Sequence, residues 1–173
     1  QLKLRRIKGV LRPAITTIFP SKKRDIVLMD VGANADCRPE FINQFATMGA
    51  LYYEEMFGVS NAKVGLLNIG TEEGKGNEIT REAFHLLKSN DKINFIGSIE
   101  SREMMDGDVD VIVTDGFTGN MVLKTAEGTA KFIFSILKEE INRSVLGKMG
   151  AVALKFKINS KHNMSDVAGT CRK

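Results

Sequence analysis

Apolar and polar positions alternate in blocks along this chain. Ile26-Val27-Leu28-Met29-Asp30-Val31 is short and almost continuously apolar, which predicts a strand buried on both faces. Pro39 then opens a stretch to about residue 57 in which Phe41, Phe45, Met48, Tyr52 and Met56 recur at helical spacing, predicting a helix with that stripe toward the core. The theme repeats: Val64-Gly65-Leu66-Leu67-Asn68-Ile69 reads as a strand, and residues 78–88 as a helix with Ile79, Ala83, Leu86 and Leu87 on one face. Residues 93–96 and 109–114 are further strands, the latter interrupted by Asp110, and a long helix is predicted over about residues 121–142. Strands that alternate with helices predict a parallel sheet with helices on its faces. Residues 145–158 are apolar but carry Lys148, Lys155 and Lys157, and predict a second helix forming a hairpin with the preceding one. No period is visible over residues 159–173.

Three polar, Gly-rich loops fall at predicted strand ends and lead into helices: residues 30–36, 70–77 and 115–120. In open parallel sheets ligands bind beyond the carboxyl ends of the strands, where backbone N–H groups and helix N-termini make an anion site. The middle loop sets Lys75 between Gly74 and Gly76, followed by Asn77 and Glu78. It is not a P-loop: Gly70 to Gly74 is one residue short of the template, and Gly76 stands where Ser or Thr is required. A solvated surface lysine explains the loop as well as a phosphate contact does. In the last loop Asp115 and Asn120 admit two readings, helix capping and turn formation or substrate handling, and the same holds for Asp30 and Asn34. No Ser-His-Asp or Cys-His arrangement suggests a covalent nucleophile.

Composition narrows the class. Hydrophobic residues make up 43% and charged residues 27% of the 173, which suits a packed globular chain of one domain's length. Cys37 and Cys171 lack metal or disulfide-framework spacing and predict free thiols in a reducing compartment. No apolar run approaches the ~18–20 residues of a membrane span. With a net charge of +4, 7% aromatics and no recognition motif, nucleic-acid binding is disfavoured. The chain starts at Gln1 rather than Met, inside the basic stretch Lys3-Leu4-Arg5-Arg6, which predicts a piece of something longer.

The loops carry a resemblance. Arg12-Pro13-Ala14-Ile15, Asp30-Val31-Gly32-Ala33-Asn34, residues 64–78 (VGLLNIGTEEGKGNE), Ile93-Asn94-Phe95-Ile96-Gly97 and Thr114-Asp115-Gly116-Phe117-Thr118-Gly119-Asn120 follow one another as in the bacterial phosphate acyltransferases of phospholipid synthesis. The chain resembles that family over about residues 5–158. The family converts acyl-acyl carrier protein and inorganic phosphate into acyl phosphate. The resemblance implies a three-layer α/β/α, Rossmann-like, mostly parallel sheet, similar to the isocitrate and isopropylmalate dehydrogenases and phosphotransacetylase, with a protruding helical hairpin. Divided accordingly, residues 1–120 form part of the acyl-phosphate-synthesising domain, 121–158 the hairpin, and 159–173 a divergent tail. The resemblance also implies that the family's N-terminal half and last C-terminal segment lie outside this sequence.

The resemblance further implies Lys75, Asp115 and Asn120 as catalytic residues, and Asn34, Gly74, Gly76, Asn77 and Gly116 as phosphate or acyl contacts, with no metal and no cofactor. It implies a cytoplasmic homodimer that touches the membrane peripherally and meets acyl carrier protein and inorganic phosphate. Leu146, Met149, Val152 and Phe156, among lysines, suit a helix lying on an anionic leaflet, and equally a dimer helix with its lysines in solvent. A basic face of Lys3, Arg5, Arg6, Lys8 and Arg12, or of Lys22, Lys23 and Arg24, would steer an acidic carrier, although charge runs are commonly just solvated. Two rivals accompany this reading: a phosphotransacetylase-like enzyme acting on acyl-coenzyme A, and a non-catalytic fragment that keeps only dimer and membrane contacts.

Overall fold

The computed structural model describes residues 8–143. Its elements are β1 (Thr16–Phe19), β2 (Ile26–Met29), α1 (Pro39–Phe57), β3 (Lys63–Asn68), α2 (Glu78–Lys88), β4 (Asn94–Glu100), a single 3-10 turn (Met104–Asp106), β5 (Val111–Val113) and α3 (Gly116–Arg143). The strands form one sheet in the order β1-β2-β5-β3-β4. β2, β5, β3 and β4 are parallel, and only the edge strand β1 runs antiparallel, pairing Thr16 with Met29 and Phe19 with Ile26. The mostly parallel α/β architecture is therefore as the sequence predicts, with an added strand that it does not announce.

Side chains at alternate positions sort the sheet into two faces. Val27, Met29, Val64, Leu66, Val111 and Val113 join the cluster formed with α1 and α2. α1 contributes Ile42, Phe45, Ala46, Gly49, Ala50 and Tyr53 as its buried residues. The predicted stripe is thus displaced: Phe41, Met48 and Tyr52 are only partly buried, and Met56 is exposed. The reason is packing on two sides, since α1 touches both the sheet and α2, and small residues allow the close approach. Ile26, Leu28 and Ile112 point the other way and are also fully buried. The strands are accordingly apolar on both faces, as parallel strands usually are.

Two differences bear on the site. α3 starts at Gly116, five residues before the predicted start, so the expected boundary at residues 120 and 121 falls inside a helix. The chain divides instead at Thr125, with residues 116–125 of α3 in the first compact unit and 126–143 in the second. In the second unit α3 exposes Phe132, Ile133, Phe134, Ile136 and Leu137. The second hairpin helix, the tail, and Leu146, Met149, Val152 and Phe156 lie outside the described residues, as do Lys3, Arg5 and Arg6. No helix among the described residues is long and apolar enough to cross a membrane.

The other candidate steering cluster requires a correction. Lys22 pairs with Asp106 at 2.7 Å, Lys23 with Asp108, and Arg24 Nε lies 3.0 Å from Asp110 Oδ1. Three successive cations of the β1–β2 turn therefore meet three alternate aspartates before β5. The Asp106 hydrogen bond and charge hold the Lys22 ammonium above its ordinary range. Both segments precede parallel strands, so this ladder stands at the amino ends of β2 and β5, away from the carboxyl-end loops. Paired charges at the wrong end of the sheet do not make a basic face for a ligand there.

Candidate active site

The loops after β2, β3 and β5 all emerge at the carboxyl edge of the sheet and enter α1, α2 and α3. The loops after β3 and β5, with the end of β4, enclose a cleft of about 580 Å³ lined by Leu67, Asn68, Ile69, Gly76, Asn77, Thr80, Glu100, Ser101, Thr114, Asp115, Thr118 and Val122. A second hollow of about 410 Å³ shares Asn77, Asp115 and Thr118 with it and adds Ala35, Asp36, Cys37, Ile79 and Phe117. Asn77, Asp115 and Thr118 therefore stand on the divide between two adjacent openings.

Asn77 and Asp115 each cap a helix. Asn77 Oδ1 accepts from Thr80 N at 2.8 Å and from the Thr80 hydroxyl at 2.9 Å, which fixes the start of α2. With its oxygen committed to the cap, the amide NH2 is the group that Asn77, a lining residue, can offer as a donor. Asp115 Oδ1 accepts from Thr118 N at 2.8 Å, and Oδ2 from the Thr118 hydroxyl at 2.7 Å. The capping role at α3 thus belongs to Asp115, and Asn120 sits in the second turn of the helix. Two helix N-termini, each the positive end of a helix dipole, consequently face one cleft.

The approach to Asn77 is set by Gly76, whose φ of +95 lies in the region that favours glycine. A Cβ there would also come within 2.6 Å of Asn68 Oδ1. Asn68 is itself engaged, donating to Lys75 O at 3.1 Å and Ser98 Oγ at 3.2 Å. Lys75 is exposed on this loop with its stem beside Gly70, and Gly74 lies in open space. Neither lines the cleft, although both belong to the loop that borders it.

The remaining predicted contacts hold the walls together. Gly116 N donates to Asn34 O at 2.9 Å, and a Cβ on Gly116 would lie 2.6 Å from that oxygen. Asn34 Nδ2 donates to Pro13 O and to Asp30 Oδ2, both at 2.8 Å. Asn120 packs its side chain beside Gly32. So the structure brings Gly76, Asn77 and Asp115 to the opening, while Asn34, Gly116 and Asn120 join the loop after β2 to the first turns of α3.

Several lining residues were not singled out from sequence: Asn68, Thr80, Ser101, Thr118 and Cys37. Asn and Asp are favoured N-caps that accept the N–H two or three residues on, a signal that could have pointed to Thr80 and Thr118. Cys37 is buried, its thiol pushed up to about 11 by burial and by the nearby Asp115 carboxylate, so it is a neutral thiol near pH 7. Among the described residues no three His, Cys, Asp or Glu side chains come together as a metal-binding group.

This fold has solved counterparts. A EutD phosphotransacetylase from Staphylococcus aureus superposes with a TM-score of 0.57 at 17% identity, over 72% of this chain and 44% of that one. A phosphotransacetylase from Streptococcus pyogenes gives 0.56 at 16% identity, over the same shares of both chains. The likeness places the chain in the α/β fold of the phosphotransacetylases. The chain belongs to the fatty acid synthesis protein family, whose model matches residues 1–171. That match extends past residue 158, where the resemblance read from the motifs ends.

Phosphate acyltransferases are its relatives in sequence. One from Fusobacterium nucleatum is 57% identical across 98% of this chain and 52% of its own length. One from Clostridium tetani is 51% identical across 95% of this chain and 50% of its own length. One from Bacillus licheniformis is 48% identical across 93% of this chain and 49% of its own length. The chain spans about half the length of these relatives.

Proposed function

We propose that this chain supplies the phosphate- and acyl-handling cleft of a phosphate acyltransferase, which moves a fatty acyl group from acyl-acyl carrier protein to inorganic phosphate and yields acyl phosphate. The observation that carries the reading is the meeting of the α2 and α3 N-termini at one opening, with Asn77 and Asp115 on its divide. Names of the relatives support the same chemistry.

The chemistry follows from the groups present. Inorganic phosphate is an anion, and helix N-termini with their N–H groups favour it. Glu100 and Asp115 put carboxylates on the lining, and no Lys or Arg is among the described lining residues. Lys75, on the loop bordering the cleft, is the cation proposed to swing in and offset that charge. A phosphate oxygen attacks the thioester carbonyl carbon, the C–O bond forms, and the carbonyl oxygen becomes an oxyanion. The Asn77 amide is the proposed donor to that oxyanion, and one such donor is worth about 10²–10³ in rate. Asn120, whose side chain packs beside Gly32 and does not line the cleft, is less well placed than Asn77 for this role. Asp115 accepts the proton of dihydrogen phosphate or orients Lys75. The carrier thiolate then leaves as the C–S bond breaks. Leu67, Ile69 and Val122 give the opening an apolar side for the acyl group.

The proposed partners are acyl carrier protein and a second copy of the chain, with contact to a membrane surface. The exposed run Phe132, Ile133, Phe134, Ile136 and Leu137 on α3 supports a surface that is covered in an assembly. In the proposed division the α/β part carries the chemistry, and α3 with the segment after it carries these contacts.

The test is carrier release by the full-length protein. Palmitoyl-carrier protein and palmitoyl-coenzyme A are supplied separately, each with and without phosphate. Phosphate-dependent release from the carrier thioester at a higher kcat/KM is the expected result. Preference for coenzyme A would replace this reading by the phosphotransacetylase-like one, and no transfer from either donor would reject both.

A further inference from the structure

We propose that Asp30 is the positioning residue of this cleft: its carboxylate locks the loop after β2 against the first turns of α3, and so sets where Asp115 stands. The proposal rests on the acyl-transfer reading above for its kinetic test. Asp30 is completely buried at the end of β2. Its Oδ1 accepts from Ile15 N at 3.0 Å, Gly32 N at 3.2 Å and Ala33 N at 3.0 Å. Its Oδ2 accepts from Asn34 N and Asn34 Nδ2, both at 2.8 Å.

A buried carboxylate is costly unless its oxygens are satisfied, and five N–H donors are what makes this one tolerable. Hydrogen bonds to a charged acceptor are also the stronger kind, so the loop is held firmly. What the loop does next is the reason to assign a role. Asn34 O receives the Gly116 N–H at 2.9 Å, which joins the loop to the start of α3 one residue after Asp115. Asp30's own main chain takes part: its N donates to Thr114 O at 3.2 Å, and its carbonyl oxygen lies against Gly119. Ala35, Asp36 and Cys37 continue from the same loop into the second hollow. Asp30 itself lines neither opening, so it acts through Asn34 and α3.

The experiment uses the full-length protein with Asp30→Asn, Asp30→Glu and a control, Tyr53→Phe. The control loses a part-buried hydrogen bond to Asp25 O at 2.9 Å, and Tyr53 lines neither opening. Asp30→Asn turns one acceptor oxygen into a donor facing N–H groups. Its kcat/KM for phosphate is expected to fall at least about tenfold, because small misplacements cost about 10²-fold in such sites. The control keeps wild-type constants at a comparable Tm. Asp30→Glu keeps the charge and falls between the two. Amide exchange at Gly116 is read in parallel and is expected to accelerate in Asp30→Asn but not in the control. Unchanged kinetics and unchanged Gly116 exchange in Asp30→Asn would overturn the proposal. Should Asp30→Asn not fold, Asp30→Glu is judged by the same two readouts. A wild-type protein with no phosphate-dependent transfer, alongside accelerated Gly116 exchange in the variant, would reject the acyl-transfer reading and leave the loop-locking role standing.

Discussion

Gly119 of α3 packs against the main-chain carbonyl oxygen of Asp30 with no space for a methyl group between them. A helix interior ordinarily disfavours glycine, yet here the missing side chain is what lets the helix reach the loop. Gly119→Ala is therefore expected to destabilise the protein by about 1–3 kcal/mol, the usual cost of overpacking. Gly128 of the same helix has nothing within 4 Å of a Cβ position. Gly128→Ala is expected to stabilise by about 0.5–1 kcal/mol through helix propensity. Denaturant midpoints of the two variants check the contrast in sign.

Asp115 combines a structural and a chemical part, and these separate by substitution. Asp115→Ala removes the α3 cap and is expected to cost about 1 kcal/mol. Asp115→Asn keeps an acceptor for Thr118 N, so its Tm stays near wild type, while kcat for acyl transfer falls because the charge is gone. A Tm scan beside a turnover assay distinguishes them. Full turnover in Asp115→Asn would remove Asp115 from the proton path.

The strong elements were legible in sequence, and the reasons for the misses are local. β2, α1, β3, α2 and β5 announce themselves by apolar runs and helical spacing. β1 is four residues on an antiparallel edge, too short to show a period. The start of α3 was hidden because Asp115, Gly116 and Gly119 look like a turn, and only the nearby Asp30–Asn34 backbone explains why glycines occupy a helix. The Lys22-Lys23-Arg24 run looked like a free basic face because its first partner, Asp106, is 84 residues away. At the site, the residue types of the three loops were legible. Which of them open to the cleft and which tie its walls together depends on long-range contacts such as Asn34 O with Gly116 N.

Cys37 gives a pH signature. Its folded pKa, raised from 9.0 to about 11, means that the folded state holds the proton where the unfolded state has lost it. The unfolded state therefore binds fewer protons between about pH 9 and 11, and stability falls as pH rises through that window. Cys37→Ser or Cys37→Ala is expected to flatten this part of the stability curve. Thiol labelling of the folded chain at Cys37 is expected to be slow near pH 7 and to accelerate toward pH 11.

The cation ladder should matter unequally. Asp110 is buried and accepts from Lys63 N at 2.8 Å, whereas Asp106 is half-buried and Asp108 exposed. Removing Arg24 leaves a buried carboxylate without its cation. Arg24→Ala is expected to lower Tm more than Lys22→Ala or Lys23→Ala. None of the three is expected to change the salt dependence of carrier-protein binding, since they stand at the far end of the sheet.

The most direct test of the acyl-transfer reading follows the phosphate itself. Full-length protein is incubated with palmitoyl-carrier protein and radiolabelled phosphate, with wild type compared with Asn77→Ala and Lys75→Ala. Label in palmitoyl phosphate is expected with wild type, with a kcat about 10²–10³ lower for Asn77→Ala and a sharply raised KM for phosphate in Lys75→Ala. No label in an acyl phosphate with wild type, or unchanged phosphate dependence in both variants, would contradict that reading.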